Sequence, residues 1–117
     1  MKATLKEITP NDLFEKIQAD EKFTILDVRE TWELVQARIK DSRALNIPMS
    51  LIGRMHKDAF DSALRNPEEE FVVICHHGVR SANVAIWMTQ NGWKNISSLA
   101  GGIDAFADQI DPSVGKY

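Results

Sequence analysis

The sequence predicts an α/β domain with three α/β/α layers and a mostly parallel central sheet. Apolar runs of strand length alternate with amphipathic segments along the whole chain, which is typical of a parallel sheet with helices on both faces. Residues 71–74 are four apolar residues in succession, the pattern of a strand covered on both faces. The 117 residues fit one domain, and no Gly/Ser/Pro-rich linker or internal repeat divides them. We therefore predict a single domain over residues 1–117.

The first predicted element is a helix that begins after Thr9. Thr9 is a suitable N-cap, because its side-chain oxygen can accept a hydrogen bond from a free backbone N–H of the first turn. Pro10 suits the first helical position, where its missing N–H costs nothing. Leu13, Phe14 and Ile17 then provide an apolar stripe at helical spacing.

The remaining elements follow from apolar runs and from their boundaries. Strands are predicted at 23–28, 44–48, 71–74 and 96–99. Helices are predicted at 30–37, 50–64, 80–90 and 103–108. Pro48 closes the second of these strands, since proline cannot donate a sheet hydrogen bond, and Gly53 weakens the helix at 50–64. Asn91 and Gly92 end the helix at 80–90, and a Gly-Gly pair precedes the last helix.

Charge and hydropathy exclude two classes of partner. The net charge is −3 without a basic cluster, so the electrostatic footprint of a nucleic-acid-binding protein is missing. The longest apolar runs, residues 71–75 and 84–88, are far too short for a membrane span. Residues 1–7 carry a charge every few positions and lack the apolar segment of a secretory signal. We expect a cytoplasmic protein with no nucleic-acid or membrane partner.

The single cysteine is the main candidate for chemistry. Because Cys75 has no second thiol in the chain, an internal disulfide and a CxxC redox or zinc pair are excluded. It follows a predicted core strand and precedes a predicted helix, at the carboxyl edge where sites of parallel sheets lie. Gly78 can adopt a positive φ there, so that loop amides and the helix N-terminus surround the sulfur and favour its thiolate. The alternative is an inert buried thiol beside a core strand.

Four other polar residues admit two interpretations each. His76 and His77 could bind a metal, but adjacent histidines are expected to point in different directions and no carboxylate stands at ligand spacing. We therefore expect no metal, and expect the two histidines to supply loop amides at the rim. Asp27 and Arg29 follow a strand that also ends at the site, and could serve catalysis. A structural ion pair that supports the loop is the favoured interpretation for them.

These residues carry a family resemblance. The segment C-H-H-G-V-R-S at 75–81 resembles the active-site loop of the rhodanese family of sulfurtransferases. Three more segments match that family in order: L-D-V-R-E with W-E within 26–33, N-I-P at 46–48 and G-G-I-D-A-F at 101–106. The tail at 111–114 resembles the end of some bacterial single-domain members. The chain has A-R-I at 37–39 where the family often has G-H-I, and Phe106 replaces the usual tryptophan.

The resemblance implies a rhodanese-like α/β/α domain with a roughly five-stranded sheet and the activity of a thiosulfate sulfurtransferase. Cys75 would attack the outer sulfur of a donor such as thiosulfate, release sulfite and carry a persulfide. An external thiol, including a protein thiol, or cyanide would then accept the sulfur from a persulfide reachable from solvent. No cofactor is expected. The substrate-binding residues implied are those of the loop: His76, His77, Gly78, Val79, Arg80 and Ser81.

Arg80 has a specific expected role, and two other functions compete with sulfur transfer. Arg80 and the helix N-terminus are expected to supply the positive charge that attracts an anionic donor. A cysteine phosphatase or arsenate reductase needs five residues between cysteine and arginine, whereas four separate Cys75 from Arg80 here. A non-catalytic module that binds a partner protein usually lacks the cysteine. Both alternatives are therefore less favoured than the enzyme.

Overall fold

Five parallel strands form one sheet in the computed structural model, which describes residues 5–117. In chain order they are β1 (Glu7–Ile8), β2 (Thr24–Asp27), β3 (Ala44–Asn46), β4 (Glu70–Ile74) and β5 (Asn95–Leu99). Across the sheet their order is β1-β5-β4-β2-β3, and every neighbouring pair is parallel. The central position belongs to β4, so residues that follow this strand lie in the middle of the carboxyl edge.

The helices connect the strands and cover both faces of the sheet. The α-helices are α1 (Pro10–Gln18), α2 (Met49–Met55), α3 (Val79–Gln90) and α4 (Gly102–Gln109). Short 3₁₀ helices occupy Thr31–Val35, His56–Ala59, Ser62–Arg65 and Pro112–Val114. The predicted N-cap of α1 is confirmed, because the Thr9 hydroxyl accepts the backbone N–H of Asp12 at 3.1 Å.

Two hydrophobic clusters lie on opposite faces of the sheet. Side chains of a strand alternate between faces, so Val73 packs in one cluster and Val72 in the other. The first cluster contains Met88 of α3 together with residues of α2. The second contains Leu13 of α1 together with residues of α4. The predicted three-layer α/β/α arrangement with a parallel sheet is therefore confirmed.

The predicted helix at 50–64 is wrong in its extent. The α-helix ends at Met55, because His56 has a φ of 53°, a left-handed conformation that cannot continue an α-helix. Two 3₁₀ helices follow, and the ring of Phe60, which is 1% exposed, packs edge-on against Phe71 of β4 with 6.5 Å between the ring centroids. The segment predicted as a helix at 30–37 is a shorter 3₁₀ helix. The strand β1 was not predicted, since two residues are too short for an apolar pattern.

Two predictions about the whole chain extend beyond these elements. Both the single domain over 1–117 and the expected lack of a secretory signal include residues 1–4, which lie outside the described residues. Within residues 5–117, no helix is both long and apolar enough to cross a membrane.

Candidate active site

Cys75 lies at the centre of the carboxyl edge of the sheet. It directly follows β4, which is flanked by β2 and β5, and it packs among the residues of the core cluster that contains Val73 and Met88. The whole residue is 1% exposed. The unmodified residue is buried because the strand register that places Val73 in the core also turns Cys75 inward. That the persulfide is reachable from solvent stays a prediction.

The sulfur of Cys75 is surrounded by hydrogen-bond donors from the loop and from the start of α3. The backbone N–H groups of Gly78 and Ser81 donate to Sγ at 3.1 and 3.3 Å. Gly78 caps α3 with a φ of 101°, the left-handed conformation that glycine tolerates best. The N-terminus of this 12-residue helix adds a partial positive charge. The pocket thus favours a negatively charged sulfur by fixed dipoles.

Backbone hydrogen bonds from the start of α4 hold the cysteine loop in place. The backbone N–H of Ile103 donates to the carbonyl oxygen of Cys75 at 2.9 Å, and that of Asp104 donates to the carbonyl oxygen of His76 at 3.1 Å. This close approach requires glycine at position 102, where a Cβ would overlap the carbonyl oxygen of His76. Gly102 therefore allows the start of α4 to fix the backbone of Cys75 and His76.

A pair of buried hydroxyls extends from the sulfur into the sheet. Oγ of Ser81 lies 3.4 Å from Sγ of Cys75 and 2.7 Å from Oγ of Ser98, which belongs to β5. Both serines are 0% exposed. Cys75, Gly78, Ser81 and Ser98 together form what we call the sulfur pocket. Ser98 was not predicted, because a serine within a strand carries no sequence signal of its own.

Arg80 is not a free positive charge. Its guanidinium donates to both carboxylate oxygens of Glu33 at 2.7 and 2.9 Å. The Arg80 guanidinium lowers the pKa of Glu33 to about 2, so the carboxylate is ionised at neutral pH. Glu33 is 3% exposed and belongs to the 3₁₀ helix that follows β2. The expectation that Arg80 offers its full charge to a donor is therefore corrected: a buried carboxylate neutralises most of that charge.

Asp27 and Arg29 form a buried ion pair that connects to the same carboxylate. The guanidinium of Arg29, which is 0% exposed, donates to Asp27 at 2.7 Å and to the hydroxyl of Tyr117 at 3.0 Å. That hydroxyl in turn donates to Glu33 at 2.8 Å. Burial raises the pKa of Tyr117, so its hydroxyl keeps the proton that this hydrogen bond requires. We call Asp27, Arg29, Glu33, Arg80 and Tyr117 the charged network.

The two loop histidines stack on each other, and His76 also stacks on Tyr117. The rings of His76 and His77 lie 3.8 Å apart at 24°, and those of His76 and Tyr117 lie 3.7 Å apart at 5°. The expectation that the histidines point in different directions is wrong, because the Tyr117 ring gives His76 a flat partner on which the stack builds. Burial lowers the pKa of His76 below its ordinary value. Val79, the remaining loop residue, is 71% exposed.

A carboxylate does accompany the histidines, contrary to the sequence-based expectation. One ligand atom each from His76, His77 and Asp104 lie within 4.8 Å of one another. The lone pairs of the stacked His76 and His77 imidazoles lie in ring planes only 24° apart, with 3.8 Å between the ring centroids, whereas a bound metal ion must lie close to the plane of every ring that binds it. Asp104 is also held by the ammonium of Lys116 at 2.8 Å. The three groups therefore do not converge on one ion in this arrangement.

The predicted site residues thus divide into two groups. Cys75, Gly78 and Ser81 come together at the sulfur, whereas Asp27, Arg29 and Arg80 belong to the charged network beside it. Sequence reasoning assigned no role to Glu33 and Tyr117. A signal existed for Glu33, which is the last residue of the family-matching segment at 26–33.

Comparison with known proteins gives consistent matches over most of the chain. Residues 9–109 match the family model described as "Rhodanese-like domain". "Thiosulfate sulfurtransferase GlpE" of Haemophilus influenzae (strain 86-028NP) is 31% identical over 103 residues, which cover 88% of this chain and 89% of that protein. "Rhodanese-like/PpiC domain-containing protein 12, chloroplastic" of Arabidopsis thaliana is 30% identical over 116 residues, and the match spans only 38% of its length.

A solved structure has the same fold. The crystal structure of SSP1007 from Staphylococcus saprophyticus superposes with a TM-score of 0.73 and 34% sequence identity. The match covers 91% of this chain and 97% of that one. The fold is therefore shared with a solved structure over most of the chain, and the range matched by the family model, residues 9–109, includes the cysteine loop.

Proposed function

This chain belongs to the rhodanese-like family, and we propose that it is a sulfurtransferase whose Cys75 carries sulfur from a small anionic donor to a thiol acceptor. The observation that carries the proposal is the position of Sγ, which accepts two backbone N–H groups at the N-terminus of α3. Such a pocket suits a sulfur atom that is negatively charged before the reaction and after it. Thiosulfate is the proposed donor, in keeping with the name of the Haemophilus relative.

The proposed reaction has two half-reactions. The Cys75 thiolate attacks the outer sulfur of thiosulfate, the S–S bond of the donor breaks, and sulfite leaves with the bonding electron pair. Cys75 then carries a persulfide. An acceptor thiolate or cyanide attacks the terminal sulfur, and the Cys75 thiolate leaves. Because the chain holds one cysteine, the acceptor must come from outside it. A cytoplasmic location, which stays a prediction, would supply reduced thiols for this step.

Electrostatics assigns a task to each part of the site. A thiolate and a dianionic donor about 4 Å apart repel each other by about 8 kcal/mol at an effective dielectric of about 20. Because Glu33 pairs with Arg80, the loop N–H groups and the half charge at the N-terminus of α3 must offset most of this repulsion. In this proposal Arg80 orients the loop and contributes a partial charge. His76, His77 and Val79 border the path by which donor and acceptor enter.

Access to the sulfur requires a local movement of the loop. Cys75 is 1% exposed, whereas attack on thiosulfate needs contact between two sulfur atoms. The loop between β4 and α3 is the segment that must open, since β4 itself is buried in the middle of the sheet. Exposed loop residues such as His77 and Val79 can move without loss of core packing.

The proposal is tested by steady-state kinetics with thiosulfate as donor and cyanide or a thiol as acceptor. We expect double-reciprocal lines that stay parallel as the acceptor concentration changes, the pattern of a ping-pong mechanism. Cys75→Ser should fold and show no sulfur transfer, because a hydroxyl does not form a persulfide. Activity in the serine variant would refute the mechanism. Inactivity of the wild type would favour the partner-binding module, and hydrolysis of an aryl phosphate would favour a phosphatase.

A further inference from the structure

Ser98 is a buried polar residue whose hydroxyl has one partner among the contacts of the sulfur pocket. It lies in β5, is 0% exposed, and places its Oγ 2.7 Å from Oγ of Ser81. Burying a hydroxyl in an apolar core costs free energy unless it is hydrogen-bonded. An alanine at this position would avoid that cost entirely. The hydroxyl therefore calls for a role beyond packing.

Ser81 stands between Ser98 and the reactive sulfur. Its Oγ lies within reach of three groups: Oγ of Ser98 at 2.7 Å, the carbonyl oxygen of Gly78 at 3.3 Å and Sγ of Cys75 at 3.4 Å. A hydroxyl has one proton to donate and two lone pairs that accept. The state of the sulfur therefore determines which partner receives the Ser81 proton.

The direction of donation can reverse along this chain of hydroxyls. When Cys75 is a thiol, its S–H donates to Ser81, whose own proton goes to Ser98 or to Gly78. When the sulfur is charged, it accepts best from a donor, because hydrogen bonds to ionised groups are stronger than neutral ones. The Ser81 hydroxyl can then donate its proton to the sulfur. Because the thiolate no longer donates to Oγ of Ser81, this oxygen can accept a hydrogen bond from the hydroxyl of Ser98.

We propose that Ser98 is a positioning residue that, by donating to Ser81, directs the Ser81 proton to the charged sulfur of Cys75. It touches neither donor nor acceptor and acts only through Ser81. As a part of the sulfurtransferase mechanism this role rests on the proposed function, but its effect on the free thiolate does not. The sulfur thus receives a third hydrogen bond besides those from the N–H groups of Gly78 and Ser81.

The test measures the pH at which the Cys75 thiolate forms, without any sulfur donor. The ultraviolet absorbance of the thiolate is followed against pH in each variant, and the same variant carrying Cys75→Ser is subtracted to remove the signal of Tyr117. The chain has one cysteine, so the difference reports Cys75 alone. Ser98→Ala should shift the midpoint upward by roughly half a pH unit to one pH unit, the value of one lost hydrogen bond.

Three further variants separate positioning from packing. Ser98→Thr keeps the hydroxyl and should titrate with the wild-type midpoint. Ser98→Val has the shape of the threonine variant without its hydroxyl, and should shift the midpoint as Ser98→Ala does. Ser97→Ala is the matched control, since Ser97 is the neighbouring buried serine of β5 but faces the opposite side of the sheet. It should leave the midpoint unchanged.

A double-variant cycle tests the route through Ser81. In a Ser81→Ala background, Ser98→Ala should cause no additional shift, because the intermediary is gone. The proposal is overturned if Ser98→Ala and Ser98→Val titrate like the wild type, if Ser97→Ala shifts as much, or if the effect of Ser98 persists without Ser81. A folded wild type with no pH-dependent thiolate signal would overturn it as well. A shift in Ser98→Ala together with a failure of thiosulfate loading would overturn only the proposed function.

Discussion

The sulfur pocket and the charged network lie side by side at the carboxyl edge of the sheet, but neutral hydrogen-bonding groups form the first and ion pairs form the second. In the sulfur pocket, neutral groups surround one sulfur atom: two backbone N–H groups donate to it, and the Ser81 hydroxyl accepts its S–H. In the charged network, two ion pairs, Arg29 with Asp27 and Arg80 with Glu33, are joined by the hydroxyl of Tyr117. The network satisfies its own charges, which leaves the electrostatics of the sulfur to fixed dipoles.

This difference separates two consequences of mutation. Removing one partner from a buried ion network leaves a charge without compensation, which destabilises the fold. Removing a hydrogen-bond donor from the sulfur pocket destabilises the charged form of the Cys75 sulfur. It should therefore reduce sulfur loading more than it reduces the free energy of unfolding. Variants of the charged network should therefore unfold more easily while their remaining folded molecules still load sulfur, and variants of the sulfur pocket should do the opposite.

Asp27→Asn should give the largest loss of stability. The guanidinium of Arg29 is 0% exposed, and its bidentate partner would be replaced by a neutral amide. Breaking a buried pair in this way costs about 3–5 kcal/mol. The free energy of unfolding from urea titration measures it. Asp20→Asn is the control, because the carboxylate of Asp20 that contacts Arg43 is 96% exposed, and it should change stability by less than about 0.5 kcal/mol. Equal effects of the two variants would contradict the comparison.

Glu33→Gln should cost less, about 2 kcal/mol, because Arg80 is one-third exposed and water can compensate its charge. The amide still accepts from Arg80 and Tyr117 but carries no charge. Glu68→Gln, at an exposed pair with Lys94, provides the matched control. A Glu33→Gln variant that unfolds at the wild-type urea concentration would show that the carboxylate contributes no stability.

The lowered pKa of Glu33 predicts that the free energy of unfolding decreases as the pH falls. Arg80 lowers the pKa of Glu33 from the usual 4.5 to about 2 in the folded state. The stabilisation is therefore complete above the unfolded value and is lost as the pH falls from about 5 towards 2. The wild type should lose more stability than Glu33→Gln over this interval in urea titrations at several pH values. Parallel curves for the two proteins would rule out this role of Glu33.

Tyr117→Phe should give the smallest effect. Phenylalanine keeps the ring that stacks on His76 but removes the hydroxyl between Arg29 and Glu33. The loss of one hydrogen-bonded hydroxyl costs about 1 kcal/mol. Tyr117→Leu removes the stack as well and should destabilise further, so thermal melting of the two variants distinguishes the ring from the hydroxyl. A larger loss in Tyr117→Phe than in Tyr117→Leu would contradict this division.

Most of the fold and the sulfur pocket could be predicted from the sequence, because their signals are local. Cys75 lies between the apolar run of β4 and the helix that begins after Gly78, and all of these signals fall within ten residues of it. The charged network was assigned only in part, since its partners are far apart in sequence: Glu33 meets Arg80 across 47 residues and Tyr117 across 84. Such pairs depend on the order of strands in the sheet, which no local pattern encodes.

The stack of histidines and the inward orientation of Cys75 escaped prediction for a different reason. The stack follows from side-chain packing within a loop, where backbone alternation does not dictate direction. Cys75 continues the alternation of β4 beyond the end of the strand, and no local pattern in the sequence shows how far that alternation extends. The Tyr117 ring approaches His76 only because the chain after α4 returns to the cysteine loop. Likewise Ser98 joins the site through the parallel pairing of β4 and β5 rather than through any motif.

The mass of the intact protein after exposure to thiosulfate tests the central claim most directly. The wild type, freed of donor, should gain about 32 Da, one sulfur atom, and should return to its original mass when glutathione is added, at a rate that rises with glutathione concentration. Asp27→Asn should still load wherever it is folded, and Cys75→Ser should not load at all. A wild type that gains no sulfur, or a Cys75→Ser protein that gains as much as the wild type, would contradict the account.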